Sequence, residues 1–188
     1  MKAEKGQYGY RDSSRKMRLA VTAALALAVL AQVCWRFFVD SQAAKNILTV
    51  MAILTVLPMA NMAAPLLASW RYRTPSREFY QKVCPYEEKC VILYDLVITT
   101  KEYVLPMDAI AVHPQGIYGF CTAKKLDKAK AEKSLNALFA ANKLDSHVKV
   151  MQEEGSFFCR LDSLKPMEGW EDDGSVEYGA GLLKSLSM

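Results

Sequence analysis

Between Leu19 and Trp70 the chain is apolar almost without interruption, and it has neither the two-residue alternation of a strand nor the short periodic runs of a globular helix. One stretch runs from Leu19 to Trp35 and extends through Phe38, and a second runs from Ile47 to Trp70. A helix rises 1.5 Å per residue, so about 20 residues cross a hydrocarbon core roughly 30 Å thick. The pattern therefore predicts a transmembrane α-helical hairpin over 19–70, with spans at about 19–38 and 47–70. Val39–Asn46 is a connection so short that the helices must be antiparallel neighbours. The first span reaches full length when Arg36 sits at the interface and snorkels outward.

After Trp70 the pattern changes. Residues 71–89 read as a polar connector containing Pro75 and Pro85. Cys90–Thr100 is an apolar run broken by Asp95 and rich in Val, Ile, Leu and Tyr, as in a strand buried on both faces. Met107–His113 alternates and Ile117–Thr122 resumes the strand pattern, with His113-Pro114-Gln115-Gly116 between them as a turn. Asp127 is placed to cap a helix through about Asn142, with Ala131, Leu135, Leu138 and Phe139 on one face. Val148–Met151 reads as a further strand, and Phe157–Leu164 as a short strand or helix. The expectation is a small α/β (α+β) cytosolic domain over 90–165, in strand–hairpin–helix–strand order. An acidic, flexible tail follows over 166–188, with a short amphipathic helix at Tyr178–Leu186.

Charge adds an orientation. The chain has 188 residues and a net charge of +4, but the basic residues are concentrated. The tail 1–18 carries Lys2, Lys5, Arg11, Arg15, Lys16 and Arg18, and the flank after Trp70 carries Arg71, Arg73, Arg77 and Lys82. The loop between the spans has Lys45. Basic flanks stay on the cytoplasmic side, so both termini are expected inside a cell membrane, with anionic lipid headgroups as partners of the basic residues. Two other readings of the N-terminus are a signal peptide ending near Ser41-Gln42-Ala43, which Arg36 interrupts, and a lipoprotein site at Cys34, where Val33 is too large. Ala20, Ala24 and Ala28 recur every four residues on the first span, and Ala60, Ala64 and Ala68 on the second. Either these form a close-packed seam or alanine is simply abundant here. Asn61, between Pro58 and Pro65, reads as a helix-packing hydrogen-bonding residue.

The chemistry-bearing residues are sparse. A reducing compartment leaves Cys84, Cys90, Cys121 and Cys159 as free thiols, and the Cys84–Cys90 spacing is not that of a zinc knuckle. His113 begins a turn and His147 precedes a strand, without partners at a telling spacing. No phosphate-binding glycine loop or nucleophile elbow occurs.

Met107-Asp108-Ala109-Ile110-Ala111-Val112-His113-Pro114-Gln115-Gly116-Ile117-Tyr118 resembles the core hairpin of nuclease-related (NERD) domains, and the likeness extends over about 90–155. The resemblance implies a restriction-endonuclease-like fold, with Asp108 as a catalytic carboxylate ligand to Mg²⁺ and a Glu and a Lys two residues apart on the next strand. Cys121 stands where the Glu belongs and Ala123 where the Lys belongs, while Lys124 falls one position late, on the other strand face. The implied catalytic site is therefore incomplete. Asp108 is then expected to be a partly solvated strand residue within reach of Lys124.

Three functions follow from this sequence. The first is a membrane-anchored cytosolic domain that binds or scaffolds an unknown protein partner, without catalysis and without a cofactor or metal. The second is a membrane-tethered, Mg²⁺-dependent nuclease using Asp108 with Asp95 or Glu87. The third is a membrane sensor or transport accessory, for which Asn61 is the intramembrane polar residue. Nucleic-acid binding has no strong signal, because the basic residues flank the spans.

Overall fold

The computed structural model describes residues 4–100, 104–123, 126–144, 147–166 and 174–188. The chain forms two compact units, one from Asp12–Tyr72 and one from the N-terminal residues through Arg11 together with Arg73–Met188.

The first unit is built on α1 (Tyr10–Phe38) and α2 (Gln42–Ser69), of 29 and 28 residues. Both are long and apolar enough to cross a membrane. Leu27, Leu30, Ile47, Ile53 and Leu67 are exposed along them. The Gln32 amide donates to Thr55 Oγ1 at 3.4 Å, and the Arg15 guanidinium lies 4.1 Å from the Trp70 ring centroid. Thr22, Ala26, Val29 and Gln32 on α1, and Ala52, Thr55, Met59 and Ala63 on α2, are half-buried. The expected seam of Ala20, Ala24, Ala28, Ala60, Ala64 and Ala68 is corrected, since all six are exposed. A repeat of alanines exists on several faces of an alanine-rich helix, so the spacing alone does not say which face packs.

The second unit is a four-stranded mixed sheet in the order β1 (Val91–Thr99), β2 (Val104–His113), β3 (Gly116–Phe120), β4 (Val148–Met151). β1 to β3 are antiparallel and β4 runs parallel to β3, which it reaches through α4 (Lys128–Ala141). The strand, hairpin, helix and strand read from the pattern are all present. Asp127 caps α4, its side chain accepting from Lys130 N.

Two helices cover each face. The connector contains α3 (Arg77–Val83), capped by Ser76, and a 3₁₀ turn at Cys84–Glu88. Phe79 and Val83 of α3 join Phe157 and Leu161 of α5 (Glu154–Asp162) over Ile92, Ala109, Tyr118 and Phe120. On the opposite face Leu135 and Phe139 of α4 pack with Val176, Ala180 and Leu183 of α6 (Ser175–Leu186). The stretch expected as a flexible tail thus supplies a core helix. Seven- and nine-residue helices display too few turns for their apolar stripe to stand out from a loop.

Both sheet edges are closed. On β4, Asn136 of α4 accepts from Val148 N and donates to Val148 O, while Glu132 accepts from Val150 N at 2.8 Å. On β1, Gly6 bridges Tyr94 and Ser187 bridges Ile98. These contacts occupy groups that would otherwise template a further strand.

The alternation of faces slips by one residue in the middle of β1 and β2. Ile92 and Tyr94 face one cluster, but Leu96 and Ile98 face the other. Likewise Leu105 and Met107 share a face with Ile110 and Val112. Strict pleating would keep residues of like parity together. The slip falls at Asp95, whose φ is 57°, and at Asp108, which the flanking pairs Tyr94↔Ala109 and Leu96↔Met107 place opposite it. Aspartate tolerates this left-handed backbone better than most residues.

The β2–β3 turn is equally demanding. Gly116 has φ 140°, and a Cβ there would stand 2.8 Å from His147 O. Gly116→Ala is expected to destabilise the chain by about 1–3 kcal/mol, read as a fall in the thermal midpoint of the purified full-length protein.

Candidate functional site

At the level of the slip, the side chain of Arg11 is buried between two acids. It is 6% exposed, against 1% for Asp95 and 6% for Asp108. One terminal nitrogen, Nη1, donates to Asp108 Oδ1 at 3.2 Å and to Arg73 O at 2.6 Å, and Nη2 donates to Met107 O at 2.9 Å. Nε faces Asp95 Oδ1 at 3.8 Å, an ion-pair distance too long for a hydrogen bond. The planar guanidinium suits this position, because its fixed donors serve a carboxylate and two carbonyls together.

Each acid has further donors. Asp95 Oδ2 accepts from Gly9 N at 2.8 Å and Thr74 Oγ1 at 2.9 Å. Burial nevertheless pushes the Asp95 carboxyl up, against the opposing pull of Arg11 and these donors. Asp108 Oδ2 accepts from both Thr122 N at 2.9 Å and Thr122 Oγ1 at 2.6 Å. Asp108 is therefore corrected from a partly solvated residue to a buried one, with Arg11 and Thr122 as its partners. Lys124, its expected partner, lies outside the described residues.

The other positions of the implied nuclease site are separated in their chemistry. Cys121 is buried and its thiol is raised to about 11, chiefly by desolvation. Thr122, between the positions aligned with Glu and Lys, is the residue that reaches Asp108. Asp95 shares the arginine with Asp108, whereas Glu87 accepts from Tyr94 OH at 2.7 Å. Nothing in the sequence marks Arg11 among the six basic residues of its tail, or Thr122 among its neighbours. Their roles arise from contacts 97 and 14 residues apart in sequence.

Beside Asp108 lies a pocket of about 350 Å³, lined by Arg73, Pro75, Ser76, Phe79, Phe120, Thr122 and Glu154 as well. Its apolar wall is the stacked pair Phe79 and Phe120, with centroids 5.0 Å apart. Glu154 is bridged to Lys82 at 2.9 Å.

The remaining candidates are structural. His113 is buried; Gln115 N donates to its Nδ1 at 3.1 Å, and Nε2 lies 3.0 Å from Lys165 O. That arrangement fits a neutral ring protonated on Nε2, and burial pulls its pKa down. All five cysteines are free, with Cys90 and Cys121 buried, Cys84 half-buried, and Cys34 and Cys159 exposed. Among the described residues no group of three His, Cys, Asp or Glu side chains is placed to hold a metal ion.

The fold and site define an α/β unit with a buried Asp–Arg–Asp cluster, on a chain that also carries two long apolar helices. No protein-family model, curated protein or solved structure matches this chain.

Asp108→Ala leaves the Thr122 amide and one face of Arg11 without an acceptor inside the fold. A loss on the order of 3–5 kcal/mol is expected, as for one partner of a buried ion pair, rather than the 1 kcal/mol or less typical of an exposed pair. Chemical denaturation of the full-length chain measures it.

Proposed function

We propose that this protein is a membrane-anchored, non-enzymatic binding or scaffolding domain, with α1 and α2 crossing the bilayer and both termini in the cytosol. The observation that carries the non-enzymatic reading is the state of Asp108. Its two oxygens accept hydrogen bonds from a guanidinium, an amide and a hydroxyl. A divalent cation requires carboxylates that are free and excess negative charge. Here the cationic Arg11 stands beside Asp108, the one implied metal-site carboxylate that this chain carries at its aligned position. Cys121 and Ala123 occupy the positions that would have added the second acid and the lysine.

One feature of the α/β unit supports the topology. It includes both the residues before α1 and those after α2, so the two flanks must lie on one side of any bilayer the helices cross. The basic residues Arg15, Lys16, Arg18, Arg71 and Arg77 favour the cytoplasmic side, with anionic headgroups as their partners. A protein ligand of the domain is the remaining partner, and the pocket beside Asp108 is the recess open to it.

Two measurements test this reading. With the native cysteines replaced, an impermeant thiol reagent applied to intact cells should label a cysteine at Ser41 and spare one at Ser13 or Ser163. Label at Ser163 overturns the topology. For the catalytic question, the full-length chain in detergent should show no Mg²⁺- or Mn²⁺-dependent cleavage of DNA or RNA and no calorimetric signal for either ion. Cleavage that requires Mg²⁺ and disappears in Asp108→Asn would establish the tethered nuclease instead.

A further inference from the structure

We propose that His113 is a pH-sensitive clasp, which ties the β2–β3 turn to the stretch after α5 when neutral and releases it when protonated. The residue is 3% exposed, and both ring nitrogens have partners. Nδ1 accepts from Gln115 N at 3.1 Å, and Nε2 lies 3.0 Å from Lys165 O, in the stretch that follows α5. A carbonyl can only accept, so Nε2 carries the proton and Nδ1 offers its lone pair. Tyr118 completes the connection. Its OH donates to Gln115 O at 3.3 Å and accepts from Arg160 Nη2, and the Arg160 guanidinium lies 4.5 Å from the Tyr118 ring centroid. The turn is therefore joined to α5 through Arg160 and to the stretch after it through Lys165, and Gln115 is shared by both connections.

A further proton has one place to go. It enters at Nδ1, where it points at the N–H of Gln115 and turns an acceptor into a donor. Burial opposes the new charge most, Lys165 O favours it, and the cationic Arg160 opposes it further. The groups that face the ring are thus Arg160 from α5, Lys165 after it, and Gln115 and Tyr118 from the hairpin. His147, before β4, closes on the same turn, its carbonyl accepting from Ile117 N at 3.1 Å. Opening of the turn lets the ring reach water, where it protonates near its ordinary value of about 6.5. A histidine whose pKa is lowered in the folded state contributes stability that is complete above about pH 6.5 and is lost as the pH falls. Closure of the turn therefore weakens on acidification. Leu164, buried in one cluster with Phe157 and Leu161, is the apolar side chain that release of Lys165 uncovers.

Histidine NMR and hydrogen exchange of the full-length protein in detergent test the clasp. At neutral pH the side-chain nitrogen signals of His113 should show the tautomer protonated on Nε2, and the ring should titrate below about 6.5. Protection of the Gln115 amide, corrected for the intrinsic effect of pH on exchange, should fall severalfold between about pH 7.5 and about pH 5.5. The limit is about tenfold, set by one proton bound to the open form with a pKa near 6.5. The amide of Cys121, which donates to Met151 O at 2.9 Å, should change less than about twofold. In His113→Asn the shorter side chain accepts from Gln115 N as in an Asx turn and does not titrate, so Gln115 should keep its protection at both pH values. A ring protonated on Nδ1 at neutral pH, or a pKa at or above about 6.5, overturns the clasp. So does an equal fall at Gln115 in His113→Asn, or at Cys121 in the wild type, since either means that other groups loosen the fold in acid. Should His113→Asn not fold, the tautomer and titration of the wild-type ring decide.

Discussion

A guanidinium with under a tenth of its surface exposed must find partners for its charge and its donors inside the fold, and the α/β unit is arranged around that requirement for Arg11. Two carboxylates balance its charge and Asp108 with two backbone carbonyls accepts from its terminal nitrogens, while Nε faces Asp95 without a hydrogen bond. To bring both acids to the same place, β1 and β2 give up strict alternation at one level, and Asp95 takes a left-handed backbone that interrupts the ladder. The residues beyond the slip still bury apolar side chains on both faces, so the disruption remains local. Each element of the cluster depends on the others: Thr74 and Gly9 hold Asp95, Thr122 holds Asp108, and Arg11 holds the pair.

The proposed non-enzymatic reading rests on the groups that this arrangement occupies. Asp108 has no oxygen without a donor, and the thiol of Cys121 is kept protonated by burial. The pocket beside it has an aromatic wall and a charged rim.

How much was legible along the chain depended on whether the signal was local. β1, the β2–β3 hairpin, α4 and β4 were readable because period, turn chemistry and a capping Asp act over a few residues. α3 and α5 were obscured by length, since seven or nine residues do not repeat a stripe often enough. The alanine repeats were visible but their facing was not: the half-buried face carries Val29, Met59 and the hydrogen-bonded Gln32 and Thr55. α6 could be anticipated as amphipathic, but its place in the core could not, because its partners on β1 and β2 lie far earlier in the chain.

The amino-acid sequence by itself determined two long apolar helices, a small domain of mixed strands and helices after them, and an acid, Asp108, on β2. Only the tertiary structure decided what that acid does. Arg11 sits among six basic residues that look alike in sequence, and solvation favours leaving each of them in water. One is buried because the chain returns past Arg73 to set Asp95, Asp108 and two carbonyls around it, and electrostatic pairing of that kind depends on distances in space that no spacing along the chain encodes.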